Sequence, residues 1–138
     1  MNYLFIDIDG VLCTTRACVA LDPERLLFRR FDPVVVALIN KLCAEHEVRL
    51  ISVSTWNTKG TDFVKNHFVE EGIKEEYIYE DFLLGNGTSN RALLIDNYIH
   101  NLEGPRLLGT FAVLDDDDCG NSDSWMAEYW VQPDTYDG

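Results

Sequence analysis

Asp7 and Asp9, in the segment Phe5-Ile6-Asp7-Ile8-Asp9-Gly10-Val11-Leu12, are two carboxylates separated by a single residue. In extended chain, residues i and i+2 project to the same side, so both acids can face one reaction centre while Ile8 turns into the core. Gly10 lets the backbone turn sharply and come close to a ligand. Asp115-Asp116-Asp117-Asp118 forms a second acidic group, and Ser54-Thr55 supplies adjacent hydroxyls. If Asp115 and Asp116 share an edge with the first pair, neighbouring carboxylates repel by about 4 kcal/mol at about 4 Å and an effective dielectric of about 20. A cation relieves that penalty. Oxygen donors without thiolate or imidazole favour Mg2+, which keeps several waters and shares itself with a substrate phosphate.

Phosphoryl transfer fits these parts. A phosphate monoester is anionic and repels attack, and its uncatalysed hydrolysis is among the slowest reactions known. A carboxylate such as Asp7 can attack phosphorus and form an aspartyl-phosphate, which divides the hard step in two. Asp9 can then protonate the leaving alcohol and later deprotonate the attacking water. A Ser or Thr hydroxyl and a cation would hold the remaining phosphoryl oxygens.

The elements that must position these residues read as alternating strands and helices. Tyr3 to Asp7 is a short apolar strand. Asp32-Pro33 opens a helix to about His46, with Asp as cap, Pro in the first turn and Val34, Leu38 and Leu42 at helical spacing. Val48 to Val53 is a second strand. Asn57 or Thr58 can cap a second helix carrying Phe63, Val64, His67 and Phe68 on one side, with Gly72 as its stop. Tyr77 to Tyr79 is a weak third strand, ending in Glu80-Asp81. After the turn signal Asn86-Gly87, Thr88 or Ser89 can cap a third helix striped by Leu93, Leu94, Tyr98 and Leu102. Thr110 to Leu114 and Tyr129 to Val131 complete five strands. This alternation predicts βαβ units and a mostly parallel sheet. In such sheets ligands sit at the carboxyl ends of the strands, and those ends carry Asp7-Ile8-Asp9, Ser54-Thr55 and Asp115-Asp116.

With the strand ends in view, the sequence resembles the haloacid dehalogenase (HAD) superfamily of phosphotransferases. Its first motif, D-x-D-G-x-[LV], is Asp7-Ile8-Asp9-Gly10-Val11-Leu12. Its second, a Ser or Thr ending an apolar strand, is Leu50-Ile51-Ser52-Val53-Ser54-Thr55-Trp56. Its fourth, paired acids after an apolar strand, is Val113-Leu114-Asp115-Asp116. The order and spacing hold from about Asn2 to Gln132. The likeness is greatest to small capless domains, including the phosphatase modules of nucleic-acid repair enzymes. The resemblance implies a three-layer, Rossmann-like α/β domain whose five-stranded sheet is mostly parallel. It implies Asp7 as nucleophile, Asp9 as general acid and base, and Ser54, or Thr55 one residue on, as the phosphoryl-binding hydroxyl. Asp115 and Asp116 would hold Mg2+ with Asp7 and the Asp9 carbonyl. The third motif, a Lys or Arg before the fourth strand, departs from the usual Lys: Arg91 is the assignment, with Lys59 and Lys65 as alternatives.

Length and composition set the limits. At 138 residues the chain is read as one domain, residues 1–138, with 46% apolar residues. No apolar run reaches the 18 residues or so of a spanning helix, and no secretory leader is visible. The four cysteines, Cys13, Cys18, Cys43 and Cys119, show no C-x-x-C pairing, which predicts reduced thiols in a cytoplasmic protein. Cys43 reads as core; His46, His67 and His100 read as surface or edge residues; Trp125 and Trp130 read as core rather than a stacking platform.

The net charge of −13 argues against tight binding to long nucleic acid, because phosphate backbones reward Lys and Arg. The charge is uneven, however. Arg16, Arg25, Arg29 and Arg30 are four of the eleven basic residues and fall on a short flap at about residues 12–31. No separate cap fits around the first two strands, so the site should be open to a phosphorylated substrate such as a nucleotide or nucleic-acid end. Arg16 and its neighbours can steer that anion locally, although a charged, solvated loop explains them equally well. Gly10, Thr55 and Asn57 stand beside it as substrate-binding candidates. The reading that follows is an Mg2+-dependent phosphatase acting through Asp7. The alternative is a domain that keeps the fold for binding or regulation without turnover.

Overall fold

The computed structural model describes residues 2–8, 11–14, 30–54, 57, 59–83, 95, 111–115 and 129–132, with residues 80–83 described by their backbone alone. Its elements are β1 (Asn2–Ile6), α1 (Pro33–His46), β2 (Val48–Ser52), α2 (Thr61–Glu70), a 3-10 turn (Glu75–Tyr77), β3 (Ile78–Leu83), β4 (Phe111–Leu114) and β5 (Trp130–Val131). All five strands run parallel in the order β3-β2-β1-β4-β5. The order runs outward from β1 to β3 on one side and from β4 to β5 on the other. The direction of winding therefore reverses between β1 and β4, where a parallel sheet opens a crevice beyond its carboxyl ends.

Parallel strands covered on both faces read as nearly continuous apolar runs, and β1 is one. Its side chains alternate. Leu4 and Ile6 join Leu50, Val35, Val36, Ile39, Cys43, Val64 and Phe68 in one core cluster. Tyr3 and Phe5 join Ile51, Val53, Val113 and Ile95 in the other. Ile95 is helical and wholly buried in this second cluster, so helical chain meets the second face at this residue, in keeping with a three-layer α/β fold. Phe5 and Phe68 have no exposed surface; burying a side chain of that size contributes roughly 1.5–3 kcal/mol.

The helix α1 is fixed at its start by Asp32. One carboxylate oxygen accepts from the Val34 amide at 2.9 Å and the other from the Thr14 hydroxyl at 2.8 Å. Its own amide donates to the Leu12 carbonyl at 2.6 Å. At the other end Glu47 turns left-handed and its amide donates to the Cys43 carbonyl. Between α1 and α2, Phe31 meets the rings of His67 and Phe68 edge-on at 5.1 and 5.2 Å. The Glu71 carboxylate accepts from the Phe31 amide and the Arg30 side chain at 2.8 and 2.9 Å.

Several expectations are corrected. The buried face of α1 is Val35, Val36, Ile39 and Cys43, whereas Val34, Leu38 and Leu42 are 54%, 61% and 37% exposed. Both rows are apolar, so periodicity alone cannot choose between them; the sheet receives the row one residue later. His67 is 8% exposed rather than on the surface. It lies one turn from Val64 and beside Phe68, on the face that α2 turns to the core. Phe63 points outward at 43% exposure. The third strand continues past Glu80-Asp81 to Leu83, at a sheet edge where charged residues are common. Tyr77 belongs to the 3-10 turn before it. The other strand boundaries shift by about one residue, within the usual fraying of such ends.

Cys13 and Cys43 are buried, Cys43 as a free thiol, and Trp130 is partly buried against the second cluster. Among the described residues, no helix is long and apolar enough to cross a membrane. Of the third helix expected from Thr88 or Ser89, Ile95 alone is described, and it is helical; Leu93, Leu94, Tyr98 and Leu102 lie outside the described residues, as do Cys18, Cys119, His100, Trp125 and most of the flap.

Candidate active site at the carboxyl edge of the sheet

The sheet pairing continues one residue past the ends of β1, β2 and β4, and that extension presents the polar residues. Ile6 stands opposite Ser52 and Leu114. Just beyond, the Asp7 amide donates to the Leu114 carbonyl and the Val53 amide to the Ile6 carbonyl, each at 3.0 Å. The Asp115 amide donates to the Val131 carbonyl at 3.1 Å. Asp7 and Asp115 are thus held by their backbones at the tips of adjacent strands, about 4.8 Å apart in such a sheet. Their exposures are 1% and 0%. They flank the point where the strand order reverses.

The chain after Asp7 is turned back by one carbonyl. Ile8 accepts from the amides of Val11, Leu12 and Cys13 at 3.2, 2.9 and 2.9 Å. Ile8, Val11 and Leu12 are fully buried beneath this turn, as the alternation of Asp7-Ile8 requires. The Ile8 amide donates to Asp7 Oδ1 at 2.8 Å.

Ser54 follows β2 and is 2% exposed. Its amide lies 3.5 Å from Ser52 Oγ, and its carbonyl accepts from the Asn57 amide at 3.0 Å. Asn57, 3% exposed, directs its side chain at Ser52. Ser52 Oγ donates to Asn57 Oδ1 at 2.7 Å, and Asn57 Nδ2 donates to the Ser52 carbonyl at 2.8 Å. Asn57 is therefore not the cap of α2, contrary to expectation. That helix begins at Thr61 behind Gly60, which has φ 97° and makes no side-chain cap bond.

Three predicted site residues, Asp7, Ser54 and Asp115, thus stand at three neighbouring strand ends, with Asn57 behind Ser54. Asp9, Gly10, Arg16, Thr55, Arg91 and Asp116 lie outside the described residues, as do Trp56, Thr58, Asp117 and Asp118. Of the two alternatives to Arg91, Lys65 pairs with Glu75 at 3.6 Å, near the start of β3 and away from this edge. Lys59 lies on the site side, with its ammonium 5.2 Å from the centre of the Phe63 ring. Ser52 was missed as a site residue, although Ser52-x-Ser54 is itself a pair of hydroxyls at strand spacing.

The donor chemistry at this edge suits a hard cation. Two buried carboxylates on adjacent strands offer oxygen alone, as Mg2+ prefers. Among the described residues, no group of three or more His, Cys, Asp and Glu could hold a metal; two of the four expected ligands, Asp9 and Asp116, are not among them.

Compared with known families, residues 3–138 match the HAD domain in Swiss Army Knife RNA repair proteins. The chain belongs to this family. The match spans nearly the whole sequence and takes in the five-stranded parallel sheet and its three motif-bearing strand ends. Neither the curated proteins nor the solved structures gave a match.

Proposed function

We propose that this HAD domain is an Mg2+-dependent phosphatase that acts through an aspartyl-phosphate on Asp7. The observation that carries the reading is the burial of Asp7, Ser54 and Asp115 at adjacent strand ends where the sheet reverses its winding. An oxygen of the Asp7 carboxylate attacks phosphorus. The ester P–O bond breaks, and the leaving alkoxide takes a proton from Asp9. A water then gives its proton to Asp9 and attacks the same phosphorus. The bond between phosphorus and Asp7 breaks, releasing inorganic phosphate. Ser54 and Arg91 hold the non-bridging oxygens, with Thr55 and Gly10 beside them and Arg16 drawing the anion in.

Asp115 and Asp116, with Asp7 and the Asp9 carbonyl, would hold Mg2+. Once bound, the ion supplies charge that offsets both the carboxylates and the phosphate. The family is named for RNA repair proteins, which supports a phosphorylated nucleotide or RNA end as substrate. The net charge of −13 favours a short end over a long polyanion. No separate cap is required by this reading; the interval between Gly10 and Pro33 is too short for a cap domain.

The test is phosphate release from an aryl phosphate and from 3′- and 5′-phosphorylated oligonucleotides, with Mg2+ and with EDTA. Asp7→Asn should lower the rate at least about 10³-fold, equivalent to about 4 kcal/mol of barrier, and EDTA should abolish it. Equal rates for wild type and Asp7→Asn on every substrate would overturn the proposal.

A further inference from the structure

We propose that Asn57 is a positioning residue, one that sets the direction of Ser54 by clamping the chain on both sides of it. This rests on the reading of Ser54 as the phosphoryl-binding hydroxyl.

The Asn57 side chain is 3% exposed and is committed to Ser52 through both of its polar atoms, accepting at 2.7 Å and donating at 2.8 Å. Its backbone grips the other side. The Asn57 amide donates to the Ser54 carbonyl at 3.0 Å, and its carbonyl accepts from the Gly60 amide at 3.2 Å. Asn57 is therefore bonded both to Ser52 and to Ser54 itself. Across the sheet the Val53 amide is tied to the Ile6 carbonyl, one residue before Asp7. Ser54 is thus referenced to the nucleophile through a chain of backbone bonds.

The chemistry of the pair explains the residue types. Ser52 stands in register with Ile6 and Leu114, whose side chains belong to an apolar cluster. A buried hydroxyl there is costly unless it is bonded. A carboxamide both accepts from that hydroxyl and donates to the carbonyl of the same residue. Asp lacks the donor, Ser and Ala do not reach, and Gln carries an extra methylene into a closed space. A group held in this way keeps a hydroxyl ready for the charge that develops on the phosphoryl oxygens. Misplacement by about 1 Å can cost on the order of 10²-fold in rate.

The experiment combines Asn57→Ala, Asn57→Asp and Ser52→Ala with Ser54→Ala. Asn57→Ala should lower kcat/KM on the best phosphorylated substrate by about 10- to 100-fold. Adding Ser54→Ala to that variant should cost much less than it costs the wild type, because the two residues act as one unit. Strictly multiplicative losses would mean that Asn57 meets the substrate on its own account, and would overturn the proposal. Amide hydrogen exchange gives a readout independent of turnover. The Ser54 amide should exchange faster in Asn57→Ala and in Ser52→Ala, while the Phe5 amide in β1 stays unchanged; an unchanged Ser54 amide overturns the clamp. Should the wild type release no phosphate from any substrate, the function proposed above fails, and exchange still decides whether the clamp exists. Ser52→Ala serves if Asn57→Ala does not fold, since it removes the hydroxyl and leaves the carboxamide in place.

Discussion

The helices α1 and α2 each follow a buried residue with a short polar side chain, Asp32 before Pro33 and Asn57 before Gly60 and Thr61. By residue type both are good caps. Asp32 caps: it takes the Val34 amide and the Thr14 hydroxyl together. Asn57 does not, because its carboxamide is engaged by Ser52, and α2 starts from a glycine with φ 97° and no side-chain cap bond. The difference is one of use rather than availability. Where a polar side chain serves the scaffold it completes a helix. Beside the candidate site it holds a loop, and the helix after it gives up a cap worth about 1 kcal/mol.

The comparison is sharpened most by removing Asp32. Asp32→Ala takes away the cap, worth about 1 kcal/mol, and leaves the fully buried Thr14 hydroxyl without this partner, at about 1–3 kcal/mol. The combined loss of about 2–4 kcal/mol should lower the melting temperature by roughly 6–16 °C. Below the melting range, kcat/KM for phosphate release should remain that of the wild type. A loss of kcat/KM with the melting temperature unchanged would place Asp32 in the site rather than the scaffold, and the contrast with Asn57 would disappear.

Gly60 tests the other start. A Cβ at this position meets nothing within 4 Å, so any cost of Gly60→Ala comes from the backbone. At φ 97° and ψ 157° the residue occupies a region that is nearly exclusive to glycine, and a side chain there costs about 1–3 kcal/mol. Because the Gly60 amide donates to the Asn57 carbonyl, relaxation of the strain should also move the turn behind Ser54. The variant should melt lower than the wild type and release phosphate more slowly, as followed by thermal melting and kcat/KM. A change in melting alone would detach Gly60 from the site.

How far the sequence carried the fold follows from the same residues. Asp32-Pro33 was legible because cap and first-turn residue are adjacent, and the strands were legible because runs such as Val48 to Val53 are mostly β-branched and aliphatic. The parallel sheet and its motif-bearing ends followed from their alternation with helices. Side-chain commitment was not legible. Asn57 has the composition of a cap, and only its proximity to Ser52 in three dimensions shows where its bonds go. The buried row of α1 was hidden for another reason. Val34, Leu38 and Leu42 compete with Val35, Val36, Ile39 and Cys43 on a helix that is apolar throughout from Pro33 to Ile39, and the sheet, not the helix, decides between them. His67 was misread because its burial depends on Phe31, which arrives from far along the chain.

The smallest effect concerns Cys43, on the buried face of α1, and it asks whether that helix is scaffold alone. Burial pushes its thiol up from 9.0 to about 11, and Arg49 opposes the shift only in part. The folded state therefore keeps its proton while the unfolded chain loses it. Stability from this group is complete below about pH 9 and declines as the pH rises toward about 11. At pH 10 the loss is about 1.4 kcal/mol, from about one pKa unit of differential proton binding. Melting curves between about pH 8 and 10 should fall more steeply for the wild type than for Cys43→Ala, whatever the difference between the two at neutral pH. Since Cys43 packs beneath α1 and away from the strand ends, kcat/KM of the folded protein should change with pH identically in the two proteins. A divergence in that profile would couple α1 to the site. Parallel melting slopes would show that the thiol does not resist ionisation as its burial requires.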